Sequence, residues 1–251
     1  MLFEATNIIR LDAAESTNLF AQELISNHKV KDATVIVARN QTKGRGQRGS
    51  IWLAEPGTNL TFSVILFPST LKADKQFLLN KAFCLAIYDL LIQHSVKKSF
   101  VKWPNDIIVN KNKISGMLLE NSLRGEHISS VIAGFGINVN QTNFGNSLYE
   151  SATSMRLEQA HAFNLDELLN DVLNCIDIRY KQVLNNEHST IDSDYNKALF
   201  QLNDWCVYEA SNKEFLGCIR GVNDIGQLIV EDEHGTELLF ANKEIRFKIF
   251  G

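Results

Sequence analysis

"FVKWPNDIIVNKNKISGMLLE", Phe100 to Glu120, is the stretch on which the fold turns. Its apolar and β-branched runs are separated by "NKNK", so it reads as two short strands joined in a hairpin. Pro104 keeps Trp103 extended and turns the chain so that Asn105 and Asp106 project together. Downstream, "SSVIAGFGINVN" (Ser129 to Asn140) is a strand apolar enough for the centre of a sheet. Upstream, "TVIVARN" and "TNLTFSVILF" read as two more strands, the second ending at Pro68. Helical spacing appears three times. "ESTNLFAQELISN" starts a helix at Ser16 or Thr17, whose hydroxyl is placed to cap it. Asp74 to His94 carries Phe77, Leu78, Ala82, Leu85, Ile87, Leu90 and Leu91, a long and mostly buried helix. Leu165 to Leu184 follows an Asn164 cap, with Glu167 three residues on and an apolar stripe from Leu168 to Val183.

From Trp205 the pattern changes to five short β-like runs split by "NDIG" and "DEHG", as in a small closed barrel. The polar segment Asn185 to Asn196 reads as the boundary. The expectation is an α+β chain with a mixed-sheet domain over 1–196 and a C-terminal β-barrel of SH3-like type over 197–251.

The chain has 251 residues, 45% of them hydrophobic, enough to bury a sizeable core. Cys84, Cys175, Cys206 and Cys218 lie far apart, which suggests neither a zinc site nor a disulfide framework and points to a reducing compartment. There is no apolar run of about 20 residues and no basic, apolar leader, so no membrane association is expected and the location reads as cytoplasmic. With a net charge of -4 and a pI near 5.9, general attraction to nucleic acid is not expected.

Against that acidic background, "QTKGRGQRGSIW" (Gln41 to Trp52) holds three cations, three glycines and no carboxylate. Free backbone N–H groups between glycines, with Arg45 and Arg48 beside them, suit an oxyanion. Alone, the loop reads equally as a phosphate cradle or as a mobile surface segment. It lacks the GK[ST] of a Walker A loop, and "GFGINV" lacks the third glycine of a dinucleotide fingerprint. Asn105 and Asp106 suit a ligand contact or the water shell of Mg²⁺, and equally an Asx turn. Lys113 by itself reads as a solvated strand lysine, Gly116 as a place where something approaches the backbone, and Trp52 as a core aromatic.

Taken together and in order, "ESTN" (Glu15 to Asn18), "QTKGRGQRGSIW", "KWPNDI" with "KISGMLLE", and "GFGINVN" (Gly134 to Asn140) resemble the catalytic domain of the biotin protein ligases. The resemblance runs over nearly the whole chain, including the terminal "EIRFKIF". It implies a sheet of the class II aminoacyl-tRNA synthetase and biotin ligase type. It also implies ATP-dependent activation of biotin to biotinyl-5'-AMP and transfer to one lysine of a biotin carboxyl carrier protein. By that resemblance Ser16, Thr17, Asn18 and Gln41 bind biotin, whose planar urea offers one acceptor and two donors to short polar side chains. Arg45, Gly46 and Gln47 fold over biotin and the acyl phosphate. Lys113, near the carboxylate and α-phosphate with Gly116 beside it, acts with Arg45 in stabilising the transition state. Arg48, Trp52, Asn105, Asp106, Asn138 and Arg246 line the nucleotide side, with Asp106 a candidate for Mg²⁺. The resemblance also implies a possible homodimer, and it singles out no residue to stack the adenine.

Two in-line displacements need orientation and charge neutralisation but no enzyme nucleophile, and no Ser-His-Asp or Cys-His set is visible. The chain departs from many relatives at Gln47, where an arginine is common; one cation fewer implies weaker retention of biotinyl-AMP than in a Gln47→Arg variant. "STN" arriving at residue 16 leaves no room for the DNA-binding domain some members carry, so the expected form is monofunctional. A lipoate or octanoate ligase is the enzyme alternative, although its arginine pair, glycine triplet and His-Asp pair are missing. A nucleic-acid-binding module is the non-enzyme alternative.

Overall fold

The computed structural model describes residues 2–3, 7–145 and 152–248. Its larger sheet is built from β1 (Ile8–Leu11), β2 (Thr34–Ala38), β3 (Leu60–Leu66), β4 (Ser99–Lys102), β5 (Asp106–Val109), β6 (Asn112–Arg124) and β7 (His127–Ile137). The strand order is β1-β2-β3-β7-β6-β5-β4, parallel between β1 and β2 and antiparallel elsewhere. β7 is the middle strand, as its apolar run requires. The stretch from Phe100 to Glu120 contributes three strands rather than two, and the last of them, β6, spans 13 residues. Asn110 and Lys111 have φ of 49° and 73° in the two-residue turn between β5 and β6, the left-handed pair that hairpin twist favours.

Alternation along the strands sorts the sheet into two faces. Phe62, Val64, Leu66, Val131, Ala133, Phe135, Ile137 and Met117 point to one side. There α2 (Gln76–Gln93), α4 (Leu165–Leu184) and α5 (His188–Ala198) cover them. Lys75 gives α2 no side-chain cap, so burial holds that helix: each large apolar side chain contributes about 1.5–3 kcal/mol, against about 1 kcal/mol for a cap. Asn164 caps α4 as expected, accepting from the N–H groups of Asp166 and Glu167. On the opposite face, among the described residues, α1 (Thr17–Ser26) packs, with Ala21 against Ile36, Ile65 and Ile132. One short helix covers part of that face, and the rest carries the polar residues described below.

The polar stretch Asn185 to Asn196 is mostly helix, not an extended linker, because Ile191 and Tyr195 of α5 are fully buried. Lys81, buried on α2, ion-pairs with Asp192 of α5 at 2.7 Å. A short helix that the spacing did not suggest, α3 (Met155–Gln159), lies ahead of α4 and is capped by Ser154.

The C-terminal strands β8 (Trp205–Ala210), β9 (Lys213–Val222), β10 (Leu228–Asp232), β11 (Glu237–Phe240) and β12 (Ile245–Phe247) form a separate antiparallel sheet in the order β11-β10-β9-β8-β12. Five strands were expected and five are present, but among the described residues no ladder joins β11 to β12 to close a barrel. The cysteines are free, three of them buried. Burial, with Asp89 and Asp171 nearby, pushes the Cys175 thiol up to about 11. No helix among the described residues is long and apolar enough to cross a membrane.

Candidate active site

The face left open beside α1 has glycines at the middle of its floor. Gly134 stands opposite Ser63 of β3 and Leu118 of β6, while Gly136 stands opposite Thr61 and Gly116, and Gly116 opposite Asp106 of β5. A Cβ at Gly134 would lie 2.2 Å from Asn18 Oδ1, and one at Gly136 would lie 2.3 Å from Trp52 Cε2. Only glycine lets those two side chains lie on the sheet.

Lys113 reaches this face through a β-bulge. The register between β5 and β6 shifts so that Ile108 pairs with Lys113 while Ile107 pairs with Ser115. The extra residue, Ile114, drops into the core. Three positions from Gly116 would otherwise put Lys113 on the wrong side; the bulge returns it to the side of Gly116 and Asp106. Its Nζ lies 2.9 Å from Asp106 Oδ1 and 5.9 Å from the centroid of the Trp52 ring.

Asn105 does something different from Asp106. Its side-chain amide donates a short hydrogen bond to the Met117 carbonyl, and its own carbonyl accepts from Met117 N–H. Asn105 therefore pins the turn to β6, leaving Asp106 to face the floor. Pro104, joined to Trp103 by a cis peptide bond, has its carbonyl held by Asn80 Nδ2 at 2.6 Å.

At the other end, α1 begins as expected at Thr17, but Ser16 makes no side-chain cap. The cap comes from the loop: Gln41 Oε1 accepts from Thr17 N–H at 2.8 Å and lies 3.2 Å from Thr17 Oγ1. Gln41 is brought there by pairing of 14–15 with 41–43, in which Thr42 N–H and Lys43 N–H donate to the carbonyls of Ala14 and Glu15. Ser63 Oγ sits 2.7 Å from Thr17 Oγ1 and 2.6 Å from Asn18 Oδ1. Asn18 Nδ2 donates to Glu120 Oε2 at 2.8 Å. Ser16, Thr17 and Asn18 are all buried.

The cationic loop is more ordered than a floppy segment. Arg45 bridges Ile51, Gly46 N–H donates to Ser50, and Trp52 N–H to Gly44, a small hairpin with a 3-10 turn over Gln47–Gly49. The glycines are demanded by this pairing, since a Cβ at Gly44 would stand 2.3 Å from the Trp52 carbonyl oxygen. Two of its three cations are compensated: Lys43 pairs with Glu15 at 2.7 Å and Arg45 with Glu120 at 3.4 Å. At the tip Gln47 Oε1 accepts from Asn242 Nδ2 of the C-terminal sheet at 2.5 Å. The Arg48 side chain lies outside what is described.

Two buried polar atoms at this site have no protein partner, Trp52 Nε1 and Asn138 Oδ1. Asn138 is otherwise tied to the Thr153 carbonyl through its Nδ2. Arg246 stands on β12 in the other sheet, three-quarters exposed and paired with Glu209 at 3.1 Å. Among the described residues no group of three or more His, Cys, Asp or Glu side chains is assembled.

Thr17, Asn18, Gln41, Trp52, Asp106, Lys113 and Gly116 are thus brought together on one face, whereas Asn105 pins the turn, Gln47 meets Asn242 and Arg246 stands on the other sheet. Ser63 and Glu120 were missed. A serine among apolar residues in "TFSVILF" and a carboxylate ending the apolar run "KISGMLLE" were the available signals. Along a strand, two residues advance about 7 Å, and neighbouring strands lie about 4.8 Å apart. From Ser63 on β3 to Asp106 on β5, three strand spacings across and two residues along, the floor thus runs roughly 16 Å on the diagonal. It can hold a flat polar head at one end and an anion at the other.

Residues 11–138 match the model of the Biotin/lipoate A/B protein ligase family. The chain is 27% identical over 237 residues to the bifunctional ligase/repressor BirA of Bacillus subtilis, covering 94% of this chain and 72% of that one. It is 28% identical over 239 residues to a biotin--[acetyl-CoA-carboxylase] ligase of Paracoccus denitrificans, covering 92% and 97%. Among solved structures, the biotin protein ligase of Aquifex aeolicus in complex with biotin and ATP superposes with a TM-score of 0.79 at 26% identity, over 96% of this chain and 99% of that one.

Proposed function

The chain belongs to the biotin/lipoate A/B protein ligase family, and from that premise we propose that it is an ATP-dependent biotin protein ligase that forms biotinyl-5'-AMP and passes the biotinyl group to a lysine of a biotin carboxyl carrier protein in the cytoplasm. The observation that carries this reading is the glycine floor, polar at the Asn18–Ser63 end and cationic at Lys113. Its form suits a flat urea and an acid chain.

In this reading Ser16, Thr17 and Asn18 receive the urea, with Gln41 holding the helix start in place. Burial sharpens that recognition, because a buried polar group left unmatched by the wrong ligand costs about 1–3 kcal/mol. The ligand carboxylate then lies toward Lys113, and MgATP enters as the second substrate beside Asp106, Asn138 and Trp52. Attack of a carboxylate oxygen on the α-phosphorus forms the mixed anhydride as pyrophosphate leaves. Lys113, Arg45 and Arg48 neutralise charge that grows at the phosphorus oxygens, and Arg246 assists from the second sheet. In the second step the acceptor amine attacks the acyl carbon and AMP departs. Neither step asks for a protein nucleophile. The hairpin over Gly44–Trp52 keeps water from the anhydride.

The test is pyrophosphate release from ATP with biotin, with lipoate and with neither. Biotin-dependent release is expected; release indifferent to biotin, or greater with lipoate, would overturn the assignment.

A further inference from the structure

Glu120 has no role in the mechanism just described, yet it stands between two of its parts. It projects from β6, opposite Ile132, on the face covered by α1. Its side chain is 24% exposed, and its two oxygens are divided between different partners. Oε2 accepts from Asn18 Nδ2 at 2.8 Å. Oε1 lies 3.4 Å from Arg45 Nη2.

On the Asn18 side both Nδ2 donors are used, while Oδ1 keeps one lone pair open to a ligand. Nδ2 reaches Glu120 and, at 3.4 Å, the Leu118 carbonyl, while Oδ1 lies 2.6 Å from the Ser63 hydroxyl. An amide held at both ends keeps one orientation, and Glu120 is the charged half of that hold. On the Arg45 side the contact is longer and the arginine side chain is 41% exposed, a weak pair in which the partner is replaceable.

Resting on the reading of this site as the biotin and acyl-adenylate site, we propose that Glu120 is a positioning residue with two functions: it fixes the Asn18 amide for the ligand head, and it is the counter-ion that competes with the anionic intermediate for Arg45. While Glu120 pairs with Arg45, that cation is compensated and the loop is tied to β6. When the acyl phosphate arrives, Arg45 turns toward the new anion, and the nearby carboxylate limits how tightly it stays. Glu120 thereby favours release of the activated acyl group to its acceptor over indefinite storage.

Three variants separate these functions. Glu120→Gln keeps an acceptor for Asn18 but removes the charge; Glu120→Ala removes both; Arg45→Ala removes the other partner. Biotin affinity without ATP is read by calorimetry, dissociation of preformed biotinyl-AMP by trapping, and folding by thermal unfolding. We expect Glu120→Ala to weaken biotin at least tenfold and Glu120→Gln less than threefold. Glu120→Gln slows biotinyl-AMP release about two- to fivefold in the wild-type background and has no such effect with Arg45→Ala. A Glu120→Gln protein that binds biotin as poorly as Glu120→Ala, or that alters release equally with and without Arg45, would overturn the inference. A folded wild type that gives no heat with biotin would take the parent reading down with it, whereas the variant outcomes touch this inference alone.

Discussion

At the scale of single residues, the site depends on what is left out. Gly134 and Gly136 have ordinary strand conformations; they are required by the close approach of Asn18 and Trp52 rather than by backbone angle. Gly134→Ala would drive a methyl against Asn18 Oδ1 at 2.2 Å, next to the bond that Asn18 makes to Ser63. We predict a folded protein destabilised by about 1–3 kcal/mol, with biotin affinity lowered at least tenfold in calorimetry. Unchanged affinity would show that Asn18 does not read the ligand. Only Gly116 read in the sequence as a close-approach position; Gly134 and Gly136 did not, because what meets them is distant: Asn18 lies 116 positions before Gly134, and the register of β3 on β7 sets Ser63 opposite it. The cap of α1 was hidden for the same reason. Ser16 had the right chemistry in the right place, and Gln41, 24 positions away from Thr17, took the role.

Elements show the same division between local and distant causes. Strands β2, β3 and β7 and the bounds of α4 follow from local pattern and were read directly, whereas β1 was not, and Phe100 to Glu120 read as two strands where three are present. The bulge that aims Lys113, and the folding of the loop into a hairpin with its tip on Asn242, depend on pairing between segments. That tip contact makes a prediction. Trypsin sites at Lys43 and Arg45 lie in the hairpin, so Asn242→Ala, which removes the donor to Gln47, should speed cleavage across 43–48 several-fold. Adding biotin and ATP should slow it again. Equal cleavage of variant and wild type would mean that the second sheet does not steady the loop. On the opposite face, Arg179 of α4 clasps Asp89 of α2 through Nε and Nη2 at 2.6 and 3.1 Å, and Asp194 of α5 through Nη1 at 2.8 Å. The bond from Arg179 holds the Asp194 carboxyl below its ordinary 3.8. A lowered carboxylate contributes stability that is present above the ordinary value and lost as pH falls through the lowered one. Asp194→Asn should therefore be less stable than wild type at pH 7, by about 1 kcal/mol. That gap should close as the pH is taken below the usual carboxylate range, followed by urea midpoints at each pH; a gap constant across the acid range would remove Asp194 from the clasp.

Across the whole molecule, the two sheets meet where the Trp-Pro-Asn-Asp turn is supported. Trp103 Nε1 donates to the Gly226 carbonyl at 3.0 Å, and Lys81, besides Asp192, approaches the Val222 carbonyl at 3.4 Å. Gly226 sits in a turn closed by its N–H to the Asn223 carbonyl, with φ at +88° and room for a hydrogen but not a methyl, since a Cβ would lie 2.3 Å from the Phe77 ring. Composition announced a second β unit, while nothing local could reveal that its turn buttresses the loop carrying Asp106. Gly226→Ala adds left-handed strain and a clash together, about 2 kcal/mol or more, and for a chain of this size the melting temperature should fall by about 5 °C. Because the displaced turn takes the acceptor away from Trp103, two residues before Asn105, the KM for MgATP should also rise several-fold while biotin binding without ATP changes less. Asp224→Ala in the same turn is the control: Asp224 is 80% exposed and meets Lys75 only at 3.7 Å, so both properties should stay near wild type. A Gly226→Ala protein that melts early yet keeps a wild-type KM for MgATP would show that the C-terminal sheet supports the fold without supporting the site.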